Sequence, residues 1–272
     1  MNDHLIALAL KEDIGSGDIT TQSTIPKATI IDGVFLAKQK GIVAGLEVVQ
    51  RVFALRDTKI QFHQKVPDGT NINKHAIVAT VHGPAWSILS SERVALNFLQ
   101  RMSGIASRTR KFVNAVKGTR AIILDTRKTA PGLRYFDKWA VRLGGGQNHR
   151  FGLFDMVLIK DNHIVSCGSI RRAIDAVRKK TNVPIEVEVT TTDQLKEAVD
   201  LKPDRIMLDN MNFRAIKNAV RFVADRVPIE VSGGINLQTI RSIAKTGVQY
   251  ISIGSLTHSA KALDISLEIV EE

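Results

Sequence analysis

The apolar residues of this chain follow two rhythms, and the rhythm changes once. Through roughly the first hundred residues, Val34 to Gln39, Ile60 to Val66 and Ala76 to Val81 alternate apolar and polar side chains, the period expected of strands with one buried face. Leu5 to Glu12 and Leu46 to Leu55 carry helical spacing instead. The Gly and Asp punctuation of Asp13 to Thr20 reads as a capped loop, and Pro67-Asp68-Gly69 as a turn. Strands and helices without a repeating order predict an α+β domain. At Ser90 the pattern lengthens into one helix, with Val94, Leu96, Phe98, Leu99 and Met102 on its buried stripe and Arg101, Arg108, Arg110 and Lys111 outside. Arg93 would then sit in the first turn, against the partial positive charge of a helix N-terminus.

After Gly118 strands and helices alternate. Strands are expected at Ala121 to Leu124, Met156 to Ile159, Ile185 to Val189, Arg205 to Leu208, Ile229 to Val231 and Tyr250 to Ile253. Helical spacing falls between them at Tyr135 to Leu143, Ser169 to Lys180, Thr192 to Asp200, Phe213 to Ala224 and Leu237 to Lys245. Such alternation calls for a parallel sheet, and short connections favour barrel-like curvature. A full eightfold barrel needs ~250 residues, so this one should be open and incomplete. The predicted organisation is α/β: an N-terminal α+β domain over 1–105, an open parallel barrel over 106–260 that carries the site, and a tail, 261–272, returning to the first domain.

Composition narrows the partners. Of 272 residues, 38 are Lys or Arg and 27 are Asp or Glu, a net charge of +11 that implies anionic partners. Nucleic acid is disfavoured, because two Trp and two Tyr leave few stacking platforms and the basic residues form no stripe. No apolar run approaches the ~18 residues that span a bilayer. The single Cys167 forms no internal disulfide and reads as a packed, inert thiol, and Met1 to His4 lack a signal-peptide pattern, so a cytoplasmic protein is expected.

The chemistry gathers at the predicted strand ends, where the loops of parallel barrels converge. These ends read Asp125-Thr126-Arg127-Lys128, Lys160-Asp161-Asn162, Glu186 with Glu188, Asp209-Asn210, Ser232-Gly233-Gly234 and Gly254-Ser255. Arg120 to Lys160 holds eight basic and three acidic residues, a local excess of five. Arg134, Lys138 and Arg142 are assigned to a solvated helix face, whereas Arg127, Lys128, Arg150 and Lys160 are assigned to anion binding. Glu186 and Glu188 share a strand face, and Glu188 can approach Asp209; such carboxylates suit ribose hydroxyls, Mg²⁺ or a developing oxocarbenium ion. Glu186 is equally consistent with a structural ion pair. The two glycine loops suit phosphate. His149, which follows Gly144-Gly145-Gly146, is a candidate donor or base.

Together, Asp125 to Thr129, Gly144 to Gly146 with His149-Arg150, Leu158 to His163, Glu186-Val187-Glu188, Met207 to Asn210 and Ser232 to Ile235 resemble the motif set of the quinolinate phosphoribosyltransferase family. Glu12 to Thr20 and Ser91-Glu92-Arg93 match as well, so the likeness spans nearly the whole chain. It implies a type II phosphoribosyltransferase fold, with quinolinate and phosphoribosyl pyrophosphate giving nicotinate mononucleotide, pyrophosphate and CO₂ in NAD biosynthesis. It also implies Mg²⁺, with Glu188 and Asp209 serving the metal indirectly or together with substrate, and a homodimer with shared sites or a hexamer. By family match Arg127, His149, Arg150 and Lys160 bind the dicarboxylate, and Arg93 reaches in from a neighbouring subunit. Lys128, Glu188 and Asp209 are the catalytic set and serve the donor. Thr126 lines the site, and Ser232, Gly233, Gly234, Gly254 and Ser255 hold the 5-phosphate. A related transferase for another aromatic acid or in molybdate metabolism would keep the donor residues and change the basic mouth.

Overall fold

The computed structural model describes residues 2–270, and the chain divides into two compact units. The first comprises residues up to Arg110, Ala130–Gly145 and the segment from Thr257 on; the second comprises Lys111–Thr129 and Gly146–Leu256.

In the first unit, helices α1 (Asp3–Ile14) and α2 (Ile19–Thr24) precede strand β1 (Ile30–Ala37) and the short β2 (Gly41–Ile42). Helix α3 (Leu46–Arg56), strands β3 (Gln61–Gln64), β4 (Asn71–Ile72) and β5 (Ile77–Pro84), and helix α4 (Ala85–Ala115) as far as Arg110 follow. Helix α5 (Arg134–Leu143) and the last strand, β12 (Ile265–Ile269), belong here too, and the main sheet runs β12-β1-β5-β3 with antiparallel pairing. Buried Phe35 and Phe53 pack with Phe62 at ring-centroid distances of 5.7 to 6.1 Å. Gly104 permits close approach of the returning tail: a Cβ there would lie 2.1 Å from the Lys261 carbonyl oxygen.

Several expectations change. Asp13 to Thr20 is not all loop, because Asp18 caps α2 by accepting the Thr21 N–H at 3.0 Å. Helix α4 starts at Ala85, so Ser91 and Arg93 lie inside it and Arg93 meets no helix N-terminus. Arg101 and Arg110 turn toward α5 rather than outward: Arg101 grips the fully buried Asp137 with two bonds of 2.8 Å, and Arg110 donates to the Gly144 carbonyl. Lys138 is also buried, at 1% exposure, which corrects its assignment to a solvated face. The α5 segment, which the alternation places in the barrel, packs in the first unit.

The second unit is a six-stranded parallel sheet of β6 (Ile122–Leu124), β7 (Val157–Ile159), β8 (Ile185–Val189), β9 (Arg205–Asp209), β10 (Ile229–Ser232) and β11 (Tyr250–Ser252). Helices α6 (Asp161–Cys167), α7 (Ile170–Arg178), α8 (Thr192–Leu201), α9 (Phe213–Val223), α10 (Ile240–Ala244) and α11 (Ser255–His258) occupy the connections and the exit. The strand order β6-β11-β10-β9-β8-β7 leaves β6 and β7, consecutive in this unit's chain, as the two edges, so the barrel is open between them. The sheet has two unlike faces. Ile185, Val187, Val189, Ile206, Leu208, Ile229, Val231 and Ile251 form a buried apolar set, while Glu186, Glu188, Arg205, Asp209, Glu230 and Ser232 occupy the alternate positions. Parallel strands are usually apolar on both sides; here one side mixes these charged groups with apolar Leu158 and Met207.

Candidate active site at the carboxyl ends of the second sheet

The segment after α5 builds one wall. Gln147 N–H donates to the Ile123 carbonyl, and the Gln147 carbonyl accepts the Asp125 N–H, so this stretch runs beside the end of β6. His149 N–H then donates to Asp125 Oδ1 at 2.9 Å, and Asp125 is fully buried. Asp125 is therefore an internal anchor rather than part of a polar mouth. Beyond it, Thr126 Oγ1 accepts Lys128 N–H at 3.0 Å, closing a turn that leaves Arg127 half-buried and Lys128 exposed.

Arg150 is half-buried and donates to the Met156 carbonyl at 3.2 Å. Burial first, and the neighbouring Arg127 charge second, push its guanidinium below the usual arginine range, while Glu186 and Asp155 oppose the shift. Two guanidinium groups thus bear on one another at a partly desolvated mouth, an arrangement that an anion with two carboxylates would relieve.

Lys160, at the end of β7, reaches β8: its Nζ donates to Glu188 Oε2 at 2.7 Å. It therefore joins the cationic flank to the anionic one. His163 Nδ1 accepts Lys160 N–H at 3.0 Å and caps α6. Asp209, at the end of β9, is held by Asn210 Nδ2 at 2.7 Å, and its register partner is Ser232. Glu188 pairs instead with Met207, two residues earlier on β9, so the two carboxylates sit on adjacent strands with Asp209 nearer the strand ends. The loop after Ser232 needs glycine: Gly233 has φ 93°, and a Cβ there would stand 2.1 Å from Asn210 Oδ1. Gly234 is also left-handed, at φ 61°. Gly254 and Ser255, both half-buried, follow β11. Arg93 is exposed on α4 in the first unit.

Below the mouth lies a second polar layer. His149 Nε2 is 2.7 Å from Glu186 Oε2 and 3.7 Å from Glu230 Oε1, and Glu230 Oε2 accepts from Arg205 at 2.7 Å. Glu186 and Glu230 are fully buried. Burial pushes both carboxyls up to about 7; the adjacent Glu186 charge raises Glu230 further, and Arg205 pulls both back. Glu186 Oε1 and Glu230 Oε1 lie in the interior without a partner at good hydrogen-bond geometry, which disfavours full ionisation of the pair. Glu186 is thus the structural partner that its sequence position allowed, paired with His149 Nε2 in the interior.

Comparison with known proteins resolves what this edge belongs to. The profile of the quinolinate phosphoribosyl transferase N-terminal domain matches residues 18–103, and that of the C-terminal domain matches residues 105–268. The chain belongs to the quinolinate phosphoribosyltransferase family. It is 45% identical to quinolinate phosphoribosyltransferase [decarboxylating] 2b, mitochondrial, of Nicotiana tabacum, over 98% of this chain and 82% of that one. It is also 45% identical to the probable nicotinate-nucleotide pyrophosphorylase [carboxylating] of Bacillus subtilis (strain 168), over 95% of this chain and 90% of that one. The crystal structure of NadC from Streptococcus pyogenes superposes with a TM-score of 0.94 at 42% identity, covering 99% of this chain and 97% of that one.

Within this quinolinate phosphoribosyltransferase fold, sequence reading passed over Glu230 and Arg205. The signal was present: Glu230 lies two residues before Ser232 and Arg205 four before Asp209, so the period of two puts each on the face of its loop-forming partner. Cys167 is exposed, which corrects its reading as a packed thiol. No described helix is long and apolar enough to cross a membrane.

Proposed function

We propose that this protein transfers the phosphoribosyl group of phosphoribosyl pyrophosphate to quinolinate and releases CO₂ and pyrophosphate, forming nicotinate mononucleotide for NAD biosynthesis. The observation that carries the site assignment is the pair Arg127 and Arg150, partly desolvated and mutually repelling, above His149. Their forks are suited to orienting a ring that bears two adjacent carboxylates. Lys160, already paired with Glu188, stands between ring and sugar. The loop of Ser232, Gly233 and Gly234, with Gly254 and Ser255, offers backbone N–H groups to the 5-phosphate. Thr126 shapes the turn that presents Arg127 and Lys128.

With both substrates placed, the pyridine nitrogen attacks the anomeric carbon as the bond to pyrophosphate breaks. Glu188 and Asp209 stabilise the oxocarbenium character of that transition state, and Lys128 offsets charge on the leaving group. Breaking of the bond to the adjacent carboxylate then releases CO₂ and leaves the electron pair on that ring carbon as a carbanion, which the neighbouring positive nitrogen stabilises and which takes up a proton to give the product. Mg²⁺ fits Glu188 and Asp209: both are oxygen donors at a substrate-facing edge, and this ion favours one or two carboxylates plus phosphate oxygens. It would neutralise pyrophosphate charge there. The dry cluster of His149, Glu186 and Glu230 suits it less, since Mg²⁺ keeps water and avoids nitrogen.

We assign the working form as a homodimer with shared sites, or a hexamer, in the cytoplasm. The exposed Leu153, Phe154 and Val165 near β7, and Arg93 on α4, support a partner surface. A coupled assay for nicotinate mononucleotide with Mg²⁺ tests the reaction. In it, Arg127→Ala should weaken quinolinate binding much more than donor binding, and equal losses would argue against the assignment. Mixing Arg93→Ala with Lys160→Ala protomers should restore activity; verified heterodimers without recovery would refute shared sites.

A further inference from the structure

The reading above uses His149 and leaves Glu230 and Arg205 without a task, yet both are built into the floor beneath it. Glu230 projects from β10 with no exposure, bonded through Oε2 to Arg205 at 2.7 Å and facing His149 Nε2 through Oε1 at 3.7 Å. Arg205 is itself fixed, its guanidinium 3.8 Å from the centre of the Tyr250 ring. Strand register explains the convergence: Tyr250 on β11 and Met207 on β9 flank Glu230, and Arg205 lies one pleat behind Met207. Glu186 reaches the same nitrogen from β8 at 2.7 Å. On the other side, the His149 backbone is tied to buried Asp125.

We propose that Glu230, steadied by Arg205, is a positioning residue for the aromatic diacid: with Glu186 it fixes the plane and tilt of the His149 ring against which that substrate is held. A single carboxylate at Nε2 would leave the imidazole able to swing about its one bond. A second, 3.7 Å away and anchored by an arginine stacked on tyrosine, restricts that swing electrostatically. The carboxyl pair also places negative charge under a basic mouth, so removing one member alters how the mouth meets an anion. Neither Glu230 nor Arg205 touches substrate in this scheme. The inference rests on the assignment of His149 to the quinolinate subsite.

Calorimetric titration of the full-length protein separates the possibilities. Quinolinate, and in parallel phosphoribosyl pyrophosphate with Mg²⁺, would be titrated into wild type, Glu230→Gln, His149→Ala and the double variant. Glu230→Gln should weaken quinolinate about tenfold, the scale of one charge-assisted contact, and donor binding less than about twofold. The double variant should bind quinolinate no more weakly than His149→Ala alone, because Glu230 acts through that ring. Additive losses, or equal losses for both ligands, would overturn the inference. If His149→Ala leaves quinolinate affinity unchanged, the subsite assignment itself fails, and the inference with it. Should Glu230→Gln not fold, as judged by circular dichroism, Arg205→Lys keeps the charge while losing the fork and stack, and should show the same selectivity in smaller measure; no selectivity would overturn the inference. A transition metal held stoichiometrically by the purified protein would also overturn it, since the three donor atoms within 4.8 Å of one another would then be ligands.

Discussion

The sheet of the second unit holds two polar layers that use the same residue types to opposite ends. At the mouth, Lys160 and Glu188 pair at 2.7 Å with the lysine side chain 43% exposed, so water shares in the interaction and either partner can be taken by a ligand. One layer down, Glu186, Glu230 and His149 are at most 8% exposed, and every charge needs a protein partner. The upper layer is cheap to rearrange and suits turnover. The lower is costly to disturb and suits orientation. Burial, rather than residue identity, divides the work.

The sharpest way to break this contrast is truncation. Glu230→Ala would strand Arg205 and enlarge a buried polar void, and should destabilise the fold by about 3 to 5 kcal/mol, read from denaturant unfolding. Glu188→Ala should cost under about 1 kcal/mol on the same measure while abolishing most turnover. Comparable stability losses for the two would mean the layers are not distinct.

Titration gives a smaller effect. A carboxyl whose folded pKa exceeds its unfolded value binds its proton more tightly in the native state. The stability Glu230 lends is therefore complete below about 4.5 and is lost as pH rises through about 7. Wild type should lose on the order of 1 to 3 kcal/mol between pH 5 and pH 8 that Glu230→Gln does not lose. Parallel stability profiles would contradict the buried assignment. The smallest effect belongs to the Lys160 and Glu188 pair: a double-mutant cycle on stability should give a coupling below about 1 kcal/mol that shrinks with salt. A larger, salt-independent coupling would move this pair into the lower layer.

Much of this was legible beforehand. The six parallel strands follow from apolar runs with polar ends, and the site edge from where those runs stop. The start of helix α4 is hidden in the sequence because Ser90 and Ser91 imitate a cap, whereas both are buried within the helix and Ser91 Oγ bonds back to the Ser87 carbonyl. The burial of Lys138 is not legible because charge suggests solvent, and no local pattern reveals that its helix faces inward on that side.

What the linear order of residues settled by itself was periodicity and chemistry: which positions alternate, where runs end, and which loops demand glycine. These depend on neighbours a few residues apart, so they survive without a fold. Which strands become edges, and which acids lose their water, depend on groups brought together from distant parts of the chain: His149, Glu186, Arg205 and Glu230 come from four separate segments. Their burial, and with it the pKa values near 7, arises only when the sheet assembles, because desolvation is a property of the packed surroundings rather than of any one residue.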